Sequence, residues 1–107
     1  MFRPQGYHRR TMRLSAETAR IIHDTAAEIF GQPVRLFGSR VDNNARGGDI
    51  DLYIEATLSS EEAERRRLRM LARLARQLGE RRIDLVVKTA GPALPIHEVA
   101  LRDGVVL

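Results

Sequence analysis

The stretch Gly48-Asp49-Ile50-Asp51-Leu52-Tyr53-Ile54-Glu55 decides how this chain folds. Branched apolar residues alternate in it with acids, which is the period-2 pattern of a half-buried β-strand. Because successive side chains point to opposite faces of a strand, Asp49 and Asp51 share one face. The other face, which we assign to the core, carries Ile50, Leu52 and Ile54.

A second acidic strand is predicted at Arg82-Ile83-Asp84-Leu85-Val86-Val87. Its alternation points Asp84 away from the core. If the two strands are neighbours, the carboxylates of Asp49, Asp51 and Asp84 converge on one patch. Two carboxylates about 4 Å apart repel by roughly 4 kcal/mol at an effective dielectric near 20. A bound cation or a protonated acid must offset that repulsion, and oxygen ligands of this kind suit Mg²⁺.

Taken alone, each acidic segment also has a plainer interpretation. Asp-x-Asp is a common pattern, and Asp84 is equally consistent with a surface acid paired with Arg81 or Arg82. The order of the segments is more specific than any one of them: a strand, a Gly-Ser turn, an Asp-x-Asp strand, a long helix and a further Asp strand. That order favours the functional interpretation.

The composition limits the classes of function. A length of 107 residues predicts one domain with a modest core, and a hydrophobic content of 43% is normal for a globular protein. The absence of cysteine excludes disulfides, thiol catalysis and thiolate metal sites. We expect neither a signal peptide nor a transmembrane helix, which makes the cytoplasm the expected location.

The net charge of +4 favours phosphate-bearing or acidic partners, which include nucleotides, RNA and acidic proteins. Residues 1–13 combine four arginines with few apolar residues, so we expect a basic N-terminal arm. The folded domain is predicted to span residues 14–107. Within it, helices and strands alternate, which predicts a small α/β (α+β) fold.

Capping residues and turn signals delimit the predicted elements. The elements are a helix capped by Ser15 and stopped by Gly31, a strand at 34–37, a strand from 49 to about 56, a helix capped by Ser59 or Ser60 that runs to about Leu78 and is ended by Gly79, the Asp84 strand, a short helix at 95–102 and a small terminal strand at 105–107.

The long helix is predicted to have two faces. The apolar face, assigned to the core, comprises Leu68, Leu71, Leu74, Ala75 and Leu78. The opposite face is rich in arginine and comprises Arg65, Arg66, Arg69, Arg73 and Arg76. A solvated surface is the main interpretation of these arginines, and contact with an acidic partner or RNA is the alternative.

The turn Gly38-Ser39 that ends the first strand is suited to phosphate. Glycine lets the backbone approach a phosphate closely, and Ser39 offers an amide and a hydroxyl at the same place. Arg40 and Arg46 are candidates for neutralising phosphate charge. Neither Gly-x-x-x-x-Gly-Lys-Ser/Thr nor Gly-x-Gly-x-x-Gly is present, which excludes P-loop and Rossmann sites.

Gly38-Ser39-Arg40 followed by Gly48-Asp49-Ile50-Asp51-Leu52 resembles the signature of the minimal nucleotidyltransferases in the DNA polymerase beta superfamily. The resemblance extends through Asp84 into the closing segment at 98–107. It implies a polymerase-beta-like core, with a small mixed sheet and helices packed mainly on one face. One departure is Asp42, which stands where family members often carry arginine.

The same resemblance implies a set of ligands. Asp49 and Asp51 would bind two Mg²⁺ ions, and Asp84 would be the third carboxylate beside the attacking hydroxyl. Gly38 and Ser39 would hold the triphosphate of ATP.

The resemblance also implies a partner. Minimal family members are similar to the antitoxins of HEPN/MNT toxin–antitoxin systems, and the length leaves no room for an acceptor-binding domain, so we expect a hetero-oligomer with a HEPN-type toxin. The expected function is an adenylyltransferase that moves AMP from ATP to a hydroxyl of that toxin, most simply a tyrosine. The alternatives are an antitoxin that masks its partner without catalysis, and a nucleotidyltransferase acting on RNA or a small molecule.

Overall fold

Four strands form one mixed sheet in the order β3-β2-β1-β4. The computed structural model describes residues 14–38, 49–79 and 81–107. In chain order the elements are α1 (Ala16–Ile29), β1 (Arg35–Phe37), β2 (Ile50–Glu55), α2 (Ser60–Leu78), β3 (Ile83–Lys88), α3 (Pro95–Asp103) and β4 (Val105–Val106). β1 pairs antiparallel with β2 and β4, whereas β2 and β3 are parallel. The α/β fold predicted from the sequence is confirmed. The predicted arm at 1–13 lies outside the described residues.

The two long helices begin and end where their capping residues predict. Ser15 Oγ accepts a hydrogen bond from the Thr18 amide at 3.1 Å, and Ser59 Oγ accepts one from the Glu62 amide at 3.1 Å. Each bond satisfies an amide that has no partner within the first helical turn. Gly31 follows α1 with φ 67°, a left-handed conformation that lets its amide bond back to the last turn.

The main core lies between one face of the sheet and the pair α1 and α2. Its fully buried side chains are apolar and come from both layers: Ile22, Ala26, Val34, Leu36, Ile50, Leu52, Ile54, Met70 and Leu74. Ile83, Leu85 and Val87 of β3 also pack against this core, as the alternation predicts. Within the described segments, no helix is both long enough and apolar enough to cross a membrane.

The third helix covers part of the opposite face of the sheet. Ala100 of α3 is fully buried and forms a second, smaller cluster with Phe37 and Tyr53. β4 follows α3 directly and pairs with β1, and the Leu107 amide donates to the Val34 carbonyl at 2.9 Å. Two of the three described helices therefore share one face, as predicted, and the acid-bearing face is partly covered.

The predicted inner face of α2 was partly wrong. Leu74 is fully buried, but Leu68 is 54% exposed and Ala75 is exposed as well. Met70 and Ala63, which the pattern did not assign to the core, are buried instead. The helix is rotated so that its core side is centred on Met70 and Leu74.

The same rotation brings two arginines of the predicted solvated face against α1. Arg66 donates to the Ile29 carbonyl at 3.1 Å, and Arg73 pairs with Glu28 at 2.6 Å. These arginines link α2 to α1. The prediction of a solvated arginine face was therefore wrong for Arg66 and Arg73.

Leucine-to-alanine substitutions in α2 test this orientation. Leu74→Ala is expected to lower the free energy of unfolding by about 2–5 kcal/mol, since it leaves a cavity in the core. Leu68→Ala, the matched change on the exposed side, is expected to cost under about 0.5 kcal/mol. Urea denaturation of both variants makes the comparison. Equal losses would contradict the rotation.

Candidate functional site

Parallel pairing places Asp51 and Asp84 side by side. The register of β2 against β3 makes them direct partners, with Ile50 opposite Ile83 and Leu52 opposite Leu85. Register partners on adjacent strands project from the same face, and the strands lie roughly 4.8 Å apart. The apolar neighbours point into the main core, so both carboxylates project from the opposite face. We call Asp51 and Asp84 the acid pair.

The two members of the acid pair differ in their surroundings. Asp84 is exposed on an edge strand, whereas Asp51 is half-buried on an interior strand. Among the residues that the structure describes, Asp84 forms no ion pair within 4.0 Å, with Arg81 and Arg82 included. In the described residues, Asp84 therefore does not form the surface ion pair with Arg81 or Arg82 that was the plainer interpretation.

Asp49 lies one residue before β2 and is exposed. Within residues 14–38, 49–79 and 81–107, no three side chains of His, Cys, Asp or Glu lie together in a group that could hold a metal ion. The register thus brings two of the three predicted carboxylates together. The role of Asp49 as a further ligand stays a prediction.

Gly38 closes the site on the side of β1. It has φ 76°, and a Cβ built on it would lie 3.0 Å from Asp51 Cγ and would collide with Asp51 Oδ2. The backbone at the end of β1 therefore passes directly against the carboxylate, an approach open to glycine alone. The Gly38 turn and the Asp-x-Asp strand, which the sequence predicts to act together, are in contact. Ser39, Arg40 and Arg46 lie outside the described residues, and their roles stay predictions.

Arg67 is a partly buried cation of α2 that the sequence pattern missed. It lies on the part of α2 that borders β3, with a side chain 31% exposed, and pairs with Glu64 at 2.8 Å. Its hydrogen bond to Glu64 and, at longer range, the charge of Asp84 raise the pKa of Arg67, while burial opposes the shift. Arg67 lies four residues after Ala63 and three before Met70, on the same face of the helix. This spacing is the sequence signal that could have identified Arg67 as partly buried.

Beyond the acid pair, the same sheet face carries a polar cluster under α3. The Tyr53 hydroxyl donates to Glu55 Oε2 at 2.7 Å, and the Tyr53 and His97 rings lie 5.9 Å apart. His97 Nδ1 accepts a hydrogen bond from the Leu94 amide at 3.0 Å, which caps the start of α3. His97, to which the sequence assigned no role, thus helps to fix α3 over Tyr53.

The acid pair fits a magnesium ion in the chemistry of its donors. Mg²⁺ is commonly bound through one or two carboxylates together with substrate phosphates, so a third carboxylate is not required. Adjacent carboxylates also need a neutralising charge, since two of them about 4 Å apart repel by roughly 4 kcal/mol at a dielectric near 20. Asp51 and Asp84 are therefore the residues that would hold such an ion.

Comparison with models of known protein families returns no match, and comparison with curated proteins returns none either. Function is therefore inferred from the geometry of the site.

The pH dependence of stability is expected to reflect Tyr53. Burial, the hydrogen bond to Glu55 and the Glu55 charge raise the pKa of Tyr53 above its ordinary value of about 10. Above that pH the unfolded chain loses the phenol proton and the folded chain keeps it. The unfolded state then binds fewer protons, so stability falls as the pH rises.

Tyr53→Phe isolates this effect. At neutral pH the variant is expected to lose about 1 kcal/mol, the net value of one hydrogen bond. As the pH rises above about 10, the difference from the wild type is expected to shrink, because only the wild type has this phenol to ionise on unfolding. Chemical denaturation across that pH range measures the difference, and a constant difference would count against a raised pKa.

Proposed function

We propose that this protein is a magnesium-dependent nucleotidyltransferase that moves AMP from ATP to a hydroxyl group. The observation that carries the proposal is the register of Asp51 against Asp84 on parallel strands, with the Gly38 backbone against the Asp51 carboxylate. Two acids beside a close backbone turn suit a metal-bound triphosphate. The resemblance of the Gly38-Ser39 and Asp49-x-Asp51 segments to minimal nucleotidyltransferases supports the same chemistry.

The balanced reaction is a displacement at phosphorus. The acceptor hydroxyl oxygen bonds to the α-phosphorus of ATP, the bond from that phosphorus to the bridging oxygen breaks, and pyrophosphate leaves. Magnesium, when bound, neutralises phosphate charge and lowers the pKa of the attacking hydroxyl. Catalysis of phosphoryl transfer depends mainly on positioning and charge stabilisation, so few protein groups are needed.

Each residue of the site has a distinct part in this proposal. Asp51, held on an interior strand against Gly38, would hold the magnesium ion beside the phosphates of ATP. Asp84, exposed on the edge strand, accepts a hydrogen bond from the acceptor hydroxyl and takes its proton. Gly38 leaves room for the Asp51 carboxylate at the end of β1. Together with Asp49, Ser39, Arg40 and Arg46 it would supply the triphosphate and metal contacts that the resemblance implies.

We further propose that the acceptor is a hydroxyl of a HEPN-type toxin and that the protein acts as its antitoxin. Support for this step comes from the resemblance and from the net charge of +4. The experiment incubates the purified protein with ATP, Mg²⁺ and the product of the neighbouring gene, and reads the intact mass of the latter. A gain of AMP units supports transfer.

Co-expression separates transfer from masking. Under transfer, Asp51→Asn binds the partner but leaves it unmodified and toxic. Under masking, the same variant still neutralises the toxin, and the partner keeps its unmodified mass with the wild-type protein. Label incorporated into RNA or a small molecule, with none in the protein, would move the proposal to the third class of acceptor.

A further inference from the structure

The side of α2 that faces away from the core combines an exposed leucine with arginines. Arg65, Leu68, Arg69, Ala72 and Arg76 recur at spacings of three and four residues and are all exposed. We call these five residues the outer face of α2. Leu68 is 54% exposed, and the neighbouring Ala72 is short, so the leucine stands clear of its surroundings. The remaining large exposed apolar side chains of the described residues lie at 94–106, away from this helix.

The arginines of the outer face differ from those on the inner sides of α2. Arg66 and Arg73 bind groups of α1, whereas among the described residues Arg65 pairs within α2, with Glu62 at 3.2 Å. In the described part of the chain, Arg69 and Arg76 form no ion pair within 4.0 Å. Arg69 and Arg76 therefore carry positive charge that no acid in the described part of the chain neutralises through an ion pair.

We infer that the outer face of α2 binds an acidic amphipathic helix of another protein. A leucine on the partner would pack on Leu68 and Ala72, and flanking carboxylates would meet Arg65, Arg69 and Arg76. Arginine pairs with carboxylate through two parallel hydrogen bonds and is enriched where proteins meet. This inference does not rest on the proposed chemistry, since the acid pair lies on the opposite face of the sheet.

Charge and apolar character together favour this occupant over others. A second copy of the chain would bring the same arginines against the first, and like charges oppose such an interface. RNA would neutralise the arginines but would make no use of an exposed leucine between them. An acidic amphipathic helix would use both features of this surface, since it brings apolar side chains and carboxylates on one face.

A designed peptide pair provides the probe. One peptide is a helix with leucines on one side flanked by glutamates, and the other carries lysine in place of each glutamate. Fluorescence anisotropy measures their affinity for the full chain, and amide chemical shifts locate the contact. We expect saturable binding of the acidic peptide with shifts centred on α2, and binding of the lysine peptide at least about tenfold weaker, a difference of about 1.4 kcal/mol.

Two exposed leucines supply the matched variants. Leu68→Glu is expected to weaken binding of the acidic peptide by at least about tenfold, or about 1.4 kcal/mol. Leu101→Glu makes the same change at a side chain 41% exposed on α3 and is expected to leave the affinity unchanged. Since both leucines are exposed, both variants should fold, which thermal melting checks.

Three results would overturn the inference. The first is equal binding of the acidic peptide by the wild type and Leu68→Glu, or shifts centred away from α2. The second is binding of single-stranded RNA that Arg69→Gln weakens and Leu68→Glu leaves unchanged. The third is self-association, seen by analytical ultracentrifugation, that Leu68→Glu abolishes.

Discussion

Asp51→Asn is expected to lower the rate of AMP transfer by about a thousandfold. The substitution keeps the shape of the side chain but removes its negative charge from the centre of the acid pair. Removing one preorganised electrostatic group from an active site typically costs roughly a hundred- to a thousandfold in rate. Because the loss falls on the metal–nucleotide complex, raising the Mg²⁺ concentration should recover part of the rate. The measurement is single-turnover transfer of labelled AMP.

The matched control is Asp24→Asn, an exposed acid in the middle of α1. It removes the same charge from the surface and is expected to keep the wild-type rate. Asp84→Asn should also lower the rate strongly, because it removes the carboxylate proposed to take the proton of the acceptor hydroxyl. If Asp51→Asn transferred AMP as fast as Asp24→Asn, the acid pair would have no part in the chemistry.

Gly38→Ala is expected to abolish transfer while the protein stays folded. The new Cβ would collide with Asp51 Oδ2, and the end of that side chain can swing aside. The displaced carboxylate then no longer faces the nucleotide. The left-handed conformation, with φ 76°, adds about 1–2 kcal/mol of strain for a residue that has a Cβ. The measurements are transfer activity and the free energy of unfolding.

Gly79→Ala separates collision from strain. Gly79 has φ 81°, and a Cβ there would meet nothing within 4 Å. Both variants are expected to lose stability through backbone strain, but only Gly38→Ala should lose activity. Gly38→Val extends the comparison with a larger side chain, which would also occupy the space of the triphosphate. Wild-type transfer by Gly38→Ala would contradict the assignment of this turn.

Most of the sheet was predictable because its signals are local. The alternation around Asp51 and Asp84 assigns each side chain to a face, and the confirmed caps at Ser15 and Ser59 mark the helix starts. The pairing of β2 with β3 follows less directly. A long helix between two strands favours a parallel crossover, but the register that aligns Asp51 with Asp84 is set by tertiary packing.

The rotation of α2 was not predictable from hydrophobicity alone. Leu68 and Ala75 fit an apolar stripe as well as Met70 and Ala63 do, so two stripes compete within one helix. Packing against α1 and the sheet decides between them, because Arg66 and Arg73 gain partners on α1 when Met70 and Leu74 are buried. Leu68 belongs to the stripe that is not buried, and it therefore lies on the outer face of α2.

The site was only partly predictable for a similar reason. Alternation along the strands predicts that Asp51 and Asp84 leave the core, but it does not show that α3 covers Tyr53 beside them. The position of α3 depends on long-range contacts of Ala100 and His97. The local sequence predicts that this segment is a helix but does not predict where the helix packs. The contact of Gly38 with Asp51 likewise arises only when β1 and β2 pair.

Paramagnetic broadening by Mn²⁺ tests the central claim most directly. In the presence of ATP, a bound Mn²⁺ ion broadens the amide signals closest to it, whether or not an acceptor is present. We expect the broadening to centre on Asp51 and Asp84, to need the nucleotide for full effect, and to vanish in the Asp51→Asn/Asp84→Asn double variant. Broadening centred on the acidic first turn of α2, at Glu61 and Glu62, or broadening that survives in the double variant would contradict the account.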